Sequence, residues 1–299
     1  MIGALQITLR SGSDVVQDLR YAVLEATESL QVLTKAELID RSRLLISSLE
    51  KTDVTALPSQ AAGVDYRQTL SLINGQKLVL LEKSDRDPNS PIQVLSIPSS
   101  LTSGGTIQSF TTPGGVFVDL QVMSDVPLLQ EFLSRDQQLA PVFNFTGLNG
   151  QSVRFDVEVS RESDYNSIVG FYRVLDAQGA VRDAVTGAVL APGDAGYAKA
   201  ALNSTNLPNL RQFTVADDQT DTFTALNLSE PGCIAPYALV NGNELFAFGA
   251  ANPDGRSHFK VISQNVFGYE DTVGTSNGLV DFDDMLIAVR NPVLVALAP

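Results

Sequence analysis

The chain of 299 residues contains one cysteine, one histidine and no tryptophan. Cys233 can form no intrachain disulfide, and together with His258 it cannot assemble a Cys/His zinc site. A single imidazole also limits nucleophile–base chemistry to His258. The segment Gly255-Arg256-Ser257-His258-Phe259 is no nucleophile elbow, so His258 reads as a structural hydrogen-bonding residue at a strand start. Without Trp the usual stacking platform for sugars is missing, although Tyr165, Tyr172 and Tyr237 remain. Positive charge is scarce: 20 Lys and Arg face 34 Asp and Glu, and the net charge of -14 repels nucleic acid and anionic membrane surfaces while suiting divalent cations. No apolar run is long enough to predict a transmembrane segment. The amino terminus has no basic n-region and no long apolar core, so it does not read as a Sec signal peptide; scarce cysteine with many acidic residues fits a secreted or cell-surface protein exported by another route, and fits a cytoplasmic one as well.

What is present is a globular balance, 44% hydrophobic and 18% charged. Alternation at Leu5, Ile7 and Leu9 predicts a first strand. Across residues 14–51, Val16, Leu19, Val23, Ala26, Leu30 and Leu33 recur at helical spacing, and Thr34 with Glu37 forms a capping box; these predict two amphipathic helices. Asn74-Gly75 between apolar runs predicts a hairpin. Strands are expected over 92–97, 106–110 and 116–122, and a short helix over 127–137, with a domain boundary at 138–141. The division is therefore an α+β region at 1–141 and a second domain at 142–299.

From residue 142 the texture changes to short strands separated by Gly, Asn, Asp and Pro. Val153, Phe155, Val157 and Val159 alternate with Arg154, Asp156 and Glu158, the pattern of a half-exposed antiparallel strand. Further strands are expected over 167–175, 180–182, 222–228, 237–240, 244–248, 258–263 and 285–290, with a brief helix over 193–203. The apolar tail 293–299 fits a last strand or part of an export signal. The fold class expected is mainly β, with a carboxy-terminal antiparallel sandwich of jelly-roll type.

The chemistry-bearing segment is Phe267-Gly268-Tyr269-Glu270-Asp271, followed after a Gly/Ser/Asn-rich gap by Asp281-Phe282-Asp283-Asp284. Glu270, Asp271, Asp281, Asp283 and Asp284 gather hard oxygen ligands around a turn, as calcium requires, and crowded carboxylates raise one another's pKa unless a cation is present. Asp281, Asp283 and Asp284 cannot share one strand face, so a bend near Asp283 is needed to bring them together. Asn252, Asp254 and Asn265 are candidates for further oxygen donors. The alternative is that Asp281 and Asp284 cap turn N–H groups while the others face water. The run Asp85-Arg86-Asp87-Pro88-Asn89-Ser90 opens like a calcium loop but lacks its sixth-position glycine and distant glutamate, so it reads as a solvated loop, as does Asp217-Asp218 with Asp221.

Four blocks carry a resemblance: residues 167–174, 192–198, Phe246-Ala247-Phe248 with 250–255, and the acidic motif. Over residues 142–290 the chain resembles a bacterial domain-of-unknown-function family, number 4114, whose closing hallmark is Phe-Glu-Asp and then Asp-Phe-Asn-Asp. Tyr269 stands where that family usually has Phe, and Asp283 where it has Asn. The resemblance implies a β-sandwich in a secreted, calcium-rich or adhesin-like bacterial or cyanobacterial context, and no settled activity. The expectation is a non-catalytic structural, assembly or adhesion component with a structural calcium site, able to form a homo-oligomer or surface assembly. The alternatives are a calcium-dependent carbohydrate-binding module and, third, a carboxylate hydrolase.

Overall fold

The computed structural model describes residues 3–25, 27–48, 67–72, 76–84, 90–95, 107–123, 140–146, 152–163, 165–208, 210, 212–228, 232–263, 265–274, 280 and 282–295. The protein is mainly β, and all the described strand pairs are antiparallel. The amino-terminal part supplies two four-stranded sheets. One runs β4 (Arg67–Leu72), β1 (Gly3–Ser11), β8 (Phe117–Met123), β7 (Ile107–Thr111); the other runs β3 (Arg43–Ser47), β2 (Gln17–Leu24), β5 (Lys77–Ser84), β6 (Gln93–Leu95). The rest of the chain builds a five-stranded sheet ordered β14 (Gln219–Leu228), β10 (Ser152–Arg161), β19 (Met285–Val295), β18 (Val266–Tyr269), β17 (Phe259–Ser263). It shares a core with β11 (Ile168–Val174), β15 (Cys233–Val240), β16 (Asn243–Phe246) and β9 (Phe143–Asn144). A small ribbon of β12 (Val181–Arg182) and β13 (Val189–Leu190) and two short helices, α1 (Lys35–Arg41) and α2 (Tyr197–Ala201), complete it. Among the described residues no helix is long and apolar enough to cross a membrane.

The five-stranded sheet is a central layer. On β19, Met285, Ile287 and Val289 join the core formed with β10, β11 and β15, whereas Leu286 and Ala288 join Ile7, Leu19, Leu45 and Leu120 of the amino-terminal sheets. Period-two alternation sends neighbouring side chains to opposite faces, so a stretch buried on both faces must be apolar throughout, as residues 285–289 of β19 are. No described strand pairs across residue 141, yet this second core does cross it. A polar contact reinforces the join: Lys260 Nζ on β17 donates to Ser47 Oγ at 2.6 Å and lies 3.9 Å from the buried Asp18 carboxylate on β2.

The region 14–51 departs from expectation. Instead of two amphipathic helices it forms β2, a 3-10 turn at Leu30–Val32, the seven-residue α1 and β3. The capping box is present: Glu37 N–H donates to Thr34 Oγ1 at 3.2 Å and Thr34 N–H to Glu37 Oε2 at 2.8 Å. The helical spacing of the apolar residues has another origin. The sheet of β2 and β5 is covered on both sides, Leu19 and Leu80 by one core and Ala22, Leu24, Val79 and Leu81 by another that includes Leu38 of α1. The bulge in the β2–β3 pairing places its extra residue, Leu45, on β3, and β2 keeps an unbroken register with β5. Asn74-Gly75 lie outside the described residues; the strands that flank them do not pair with each other in the way a hairpin requires, since β4 pairs with β1 and β5 with β2 and β6. Residues 127–137 and 85–89 lie outside the described residues. The β10 alternation is observed, with Val153, Phe155, Val157 and Val159 buried.

One buried carboxylate ties the amino-terminal sheets together. Glu82 on β5, 2% exposed, accepts from the Thr112 hydroxyl and from the Gly114 N–H at 2.8 Å, holding the β7–β8 turn against the other sheet.

Candidate metal centre

The β18–β19 register sets the acidic site. Tyr269 pairs with Met285, so the chain leaving β18 at Glu270 and the chain entering β19 at Asp284 emerge side by side. Two backbone features keep them there. Phe282 adopts a left-handed φ of 63°, which is costly for a bulky side chain and supplies the bend the sequence required, one residue earlier than Asp283. Gly268 lets the bend lie against β18: a Cβ added there would collide with the Phe282 carbonyl oxygen and sit 3.1 Å from its carbonyl carbon. The glycine of the motif is thus a condition for closing the acidic loop.

Three carboxylates converge. One oxygen from each of Glu270, Asp271 and Asp284 lies within 4.8 Å of the others, with Glu270 and Asp271 buried and Asp284 half-buried. Asp271 N–H donates to Asp284 Oδ2 at 2.6 Å, Thr272 N–H to Glu270 Oε1 at 3.1 Å, and the buried Ser163 hydroxyl to Asp271 Oδ2. Asp283 is half-buried and is not among the three, and Asp281 lies outside the described residues. Ser163 follows β10, more than a hundred residues away in sequence, and nothing in its neighbourhood marked it; Asp217, read as a solvated residue, accepts its N–H at 2.9 Å.

The three further candidates serve the frame around the site. Asn252 accepts from Phe246 N–H at 2.6 Å and donates to the Phe246 and Arg256 carbonyls, folding the 246–256 loop on itself. Asn265 takes a left-handed φ of 57° between β17 and β18, a conformation asparagine tolerates, and its carbonyl accepts from Val289. Asp254 accepts from Arg256 N–H and Gly274 N–H, each at 3.1 Å, and faces His258 Nε2 at 3.2 Å. Burial raises its pKa, but these N–H groups and the imidazole outweigh burial and hold it below its ordinary value. His258, 1% exposed, has its Nδ1 2.8 Å from the Glu270 carbonyl, while its own carbonyl accepts from Glu270 N–H at 2.9 Å. His258 and Asp254 therefore fix both ends of the 270–274 stretch, the structural part expected of the single histidine.

Tyr269 completes the site. Its hydroxyl is fully buried and meets no hydrogen-bond partner. Burial, and then the negative fields of Asp271, Asp284 and Glu270, push the phenol well above its ordinary range, opposed by Ser167, whose hydroxyl is near without reaching hydrogen-bond geometry. The result is a neutral O–H within the field of three carboxylates. Elsewhere, burial raises the Cys233 thiol, which removes it as a thiolate nucleophile.

The donor set fits a hard cation. Oxygens sharing a calcium ion at roughly 2.4 Å can be no more than about 4.8 Å apart, and the three carboxylates satisfy that limit. No protein-family model, curated protein or solved structure matches the chain.

Proposed function

We propose that the chain is a non-catalytic structural module in which Glu270, Asp271 and Asp284 hold a calcium ion that locks the β18–β19 connection onto the end of β10. The observation that carries this is the convergence of three carboxylate oxygens within 4.8 Å beside the unpartnered Tyr269 hydroxyl, which a water on the ion would satisfy. Burial of Glu270 and Asp271 argues for an ion enclosed by the fold over one shared with carbohydrate hydroxyls. The four-block resemblance supports a bacterial surface or extracellular assembly as the setting, with self-association measured by light scattering with and without calcium.

The test of the ion is thermal. A ligand bound only by the folded state at about a hundred times its Kd adds about 2.7 kcal/mol, equivalent to roughly 4 °C for a chain of this size. Calcium should raise the wild-type Tm by that amount over chelator, and the Glu270→Gln/Asp284→Asn variant should lose the increment. No shift in wild type, or an equal shift in the variant, removes the site.

A further inference from the structure

A cleft of about 750 Å³ is lined by Lys83 of β5 in the amino-terminal part, by Phe259, Lys260 and Val261 of β17 in the central sheet, and by Phe282. That volume lies in the range of small-molecule sites, which are mostly apolar with a few placed polar groups. Three phenylalanines line it, Phe248, Phe259 and Phe282, together with Lys83 and Lys260. Among the described residues no carboxylate lines it, in a chain whose net charge is -14.

We propose that this cleft binds a small organic monoanion with a flat apolar body, such as an arene carboxylate. The charge count selects the valence. Asp18 is the register partner of Lys83 and lies 3.9 Å from Lys260 Nζ, so among the described residues two ammonium groups stand against one buried carboxylate, an excess of one positive charge. A monoanion balances it, whereas a dianion would meet the repulsion of an acidic protein uncompensated. The rings select the body. Phe259 is held from behind by Phe267 and Tyr269, with centroids at 6.0 and 5.0 Å, and Phe248 packs on the backbone of Gly179, whose carbonyl accepts from the Tyr197 hydroxyl at 2.6 Å. These walls are formed before any ligand arrives. Phe282 keeps its left-handed φ of 63° while its ring faces the cleft beneath Lys260, 5.8 Å from the ring centroid, and retained strain at a cavity wall is typical of ligand sites.

The experiment titrates the full chain, with chelator present so that the outcome is independent of the metal reading, using 2-naphthoate, 2-naphthalenemethanol and 2-naphthylmethylamine. We expect saturable 2-naphthoate binding with Kd of about 1 mM or tighter, as an ordinary ligand of that size reaches. The alcohol should bind at least about tenfold more weakly and the amine not measurably. Lys83→Glu should abolish naphthoate binding. Because that reversal places a second carboxylate beside Asp18, Lys83→Met is measured too, with at least about a tenfold loss expected. Absence of saturable naphthoate binding, equal affinity for the alcohol, or wild-type affinity in Lys83→Met overturns the proposal.

Discussion

Gly268→Ala is the sharpest single perturbation of the acidic site, because it adds one methyl group and removes no charge. The new Cβ would overlap the Phe282 carbonyl oxygen and lie 3.1 and 3.2 Å from the Phe282 carbonyl carbon and Cβ. These are mainly backbone atoms, so no rotamer change relieves the clash; the 282–284 segment must retreat by on the order of 1 Å to restore a normal carbon–oxygen contact. Overpacking of this kind costs roughly 1–3 kcal/mol, and the upper end applies because Phe282 already occupies a strained φ of 63° and has little freedom to adjust. A loss of about 3 kcal/mol corresponds to a Tm drop of about 5 °C for a chain of this length. The same retreat carries Asp284 away from Asp271, so the calcium-dependent Tm increment should fall with the stability. Gly232→Ala is the control: an added Cβ there meets only an Arg173 nitrogen at 3.9 Å, and its effect should stay within about 0.5 kcal/mol. Scanning calorimetry with calcium and with chelator reads both quantities. A Gly268→Ala protein with wild-type Tm and a wild-type calcium increment would refute the packing of the acidic loop on β18.

Three further outcomes follow from individual groups. Glu82→Gln keeps one acceptor where two donors, the Thr112 hydroxyl and Gly114 N–H, converge, and should cost about 1–3 kcal/mol in urea unfolding; an unchanged midpoint contradicts the tie between the two sheets. Tyr269→Phe removes a buried hydroxyl with no hydrogen-bond partner, so in chelator its Tm should equal or exceed wild type while its calcium increment shrinks; a Tm loss in chelator would show that the hydroxyl is bonded within the protein. The depressed pKa of Asp254 contributes stability that is present above its ordinary value of 3.8 and is lost as pH falls through the lower folded value. The stability gap between wild type and Asp254→Asn should therefore be full near neutrality and close below about pH 4, and a gap that widens on acidification has the wrong sign for this account.

What the sequence disclosed depended on how many faces of each strand are covered. On β10 one face is apolar and the other polar, so Val153, Phe155, Val157 and Val159 announce the strand. On β2 both faces are covered, with Leu19 in one core and Ala22 and Leu24 in another, so apolar residues occur at steps of three as well as two and imitate a helix. The capping box at Thr34 and Glu37 was readable because it is local, but it starts a helix of only seven residues. Whether strands that flank an Asn-Gly pair with each other is decided by their tertiary partners, and here β1 and β2 claim β4 and β5 separately.

The acidic site divides in the same way. Glu270, Asp271 and Asp284 were legible because fifteen residues of one chain segment hold all three and the register Tyr269 to Met285 brings them together. Gly268 was visible as a letter of the motif but not as a cause, since its reason is the carbonyl of Phe282, which no spacing rule predicts. Ser163, Asp254 and His258 reach the site from other elements, and each acts through a geometry that only the packed sheet defines. Phe282 links the two sites argued from this structure: its backbone closes the acidic loop and its ring walls the cleft. A ligand that changes the free energy of one arrangement of Phe282 must change the affinity of the other site by the same factor, because linkage between two binding equilibria is reciprocal. The coupling is thus measurable from either side: naphthoate affinity with and without calcium, and calcium affinity with and without naphthoate, must shift by equal ratios.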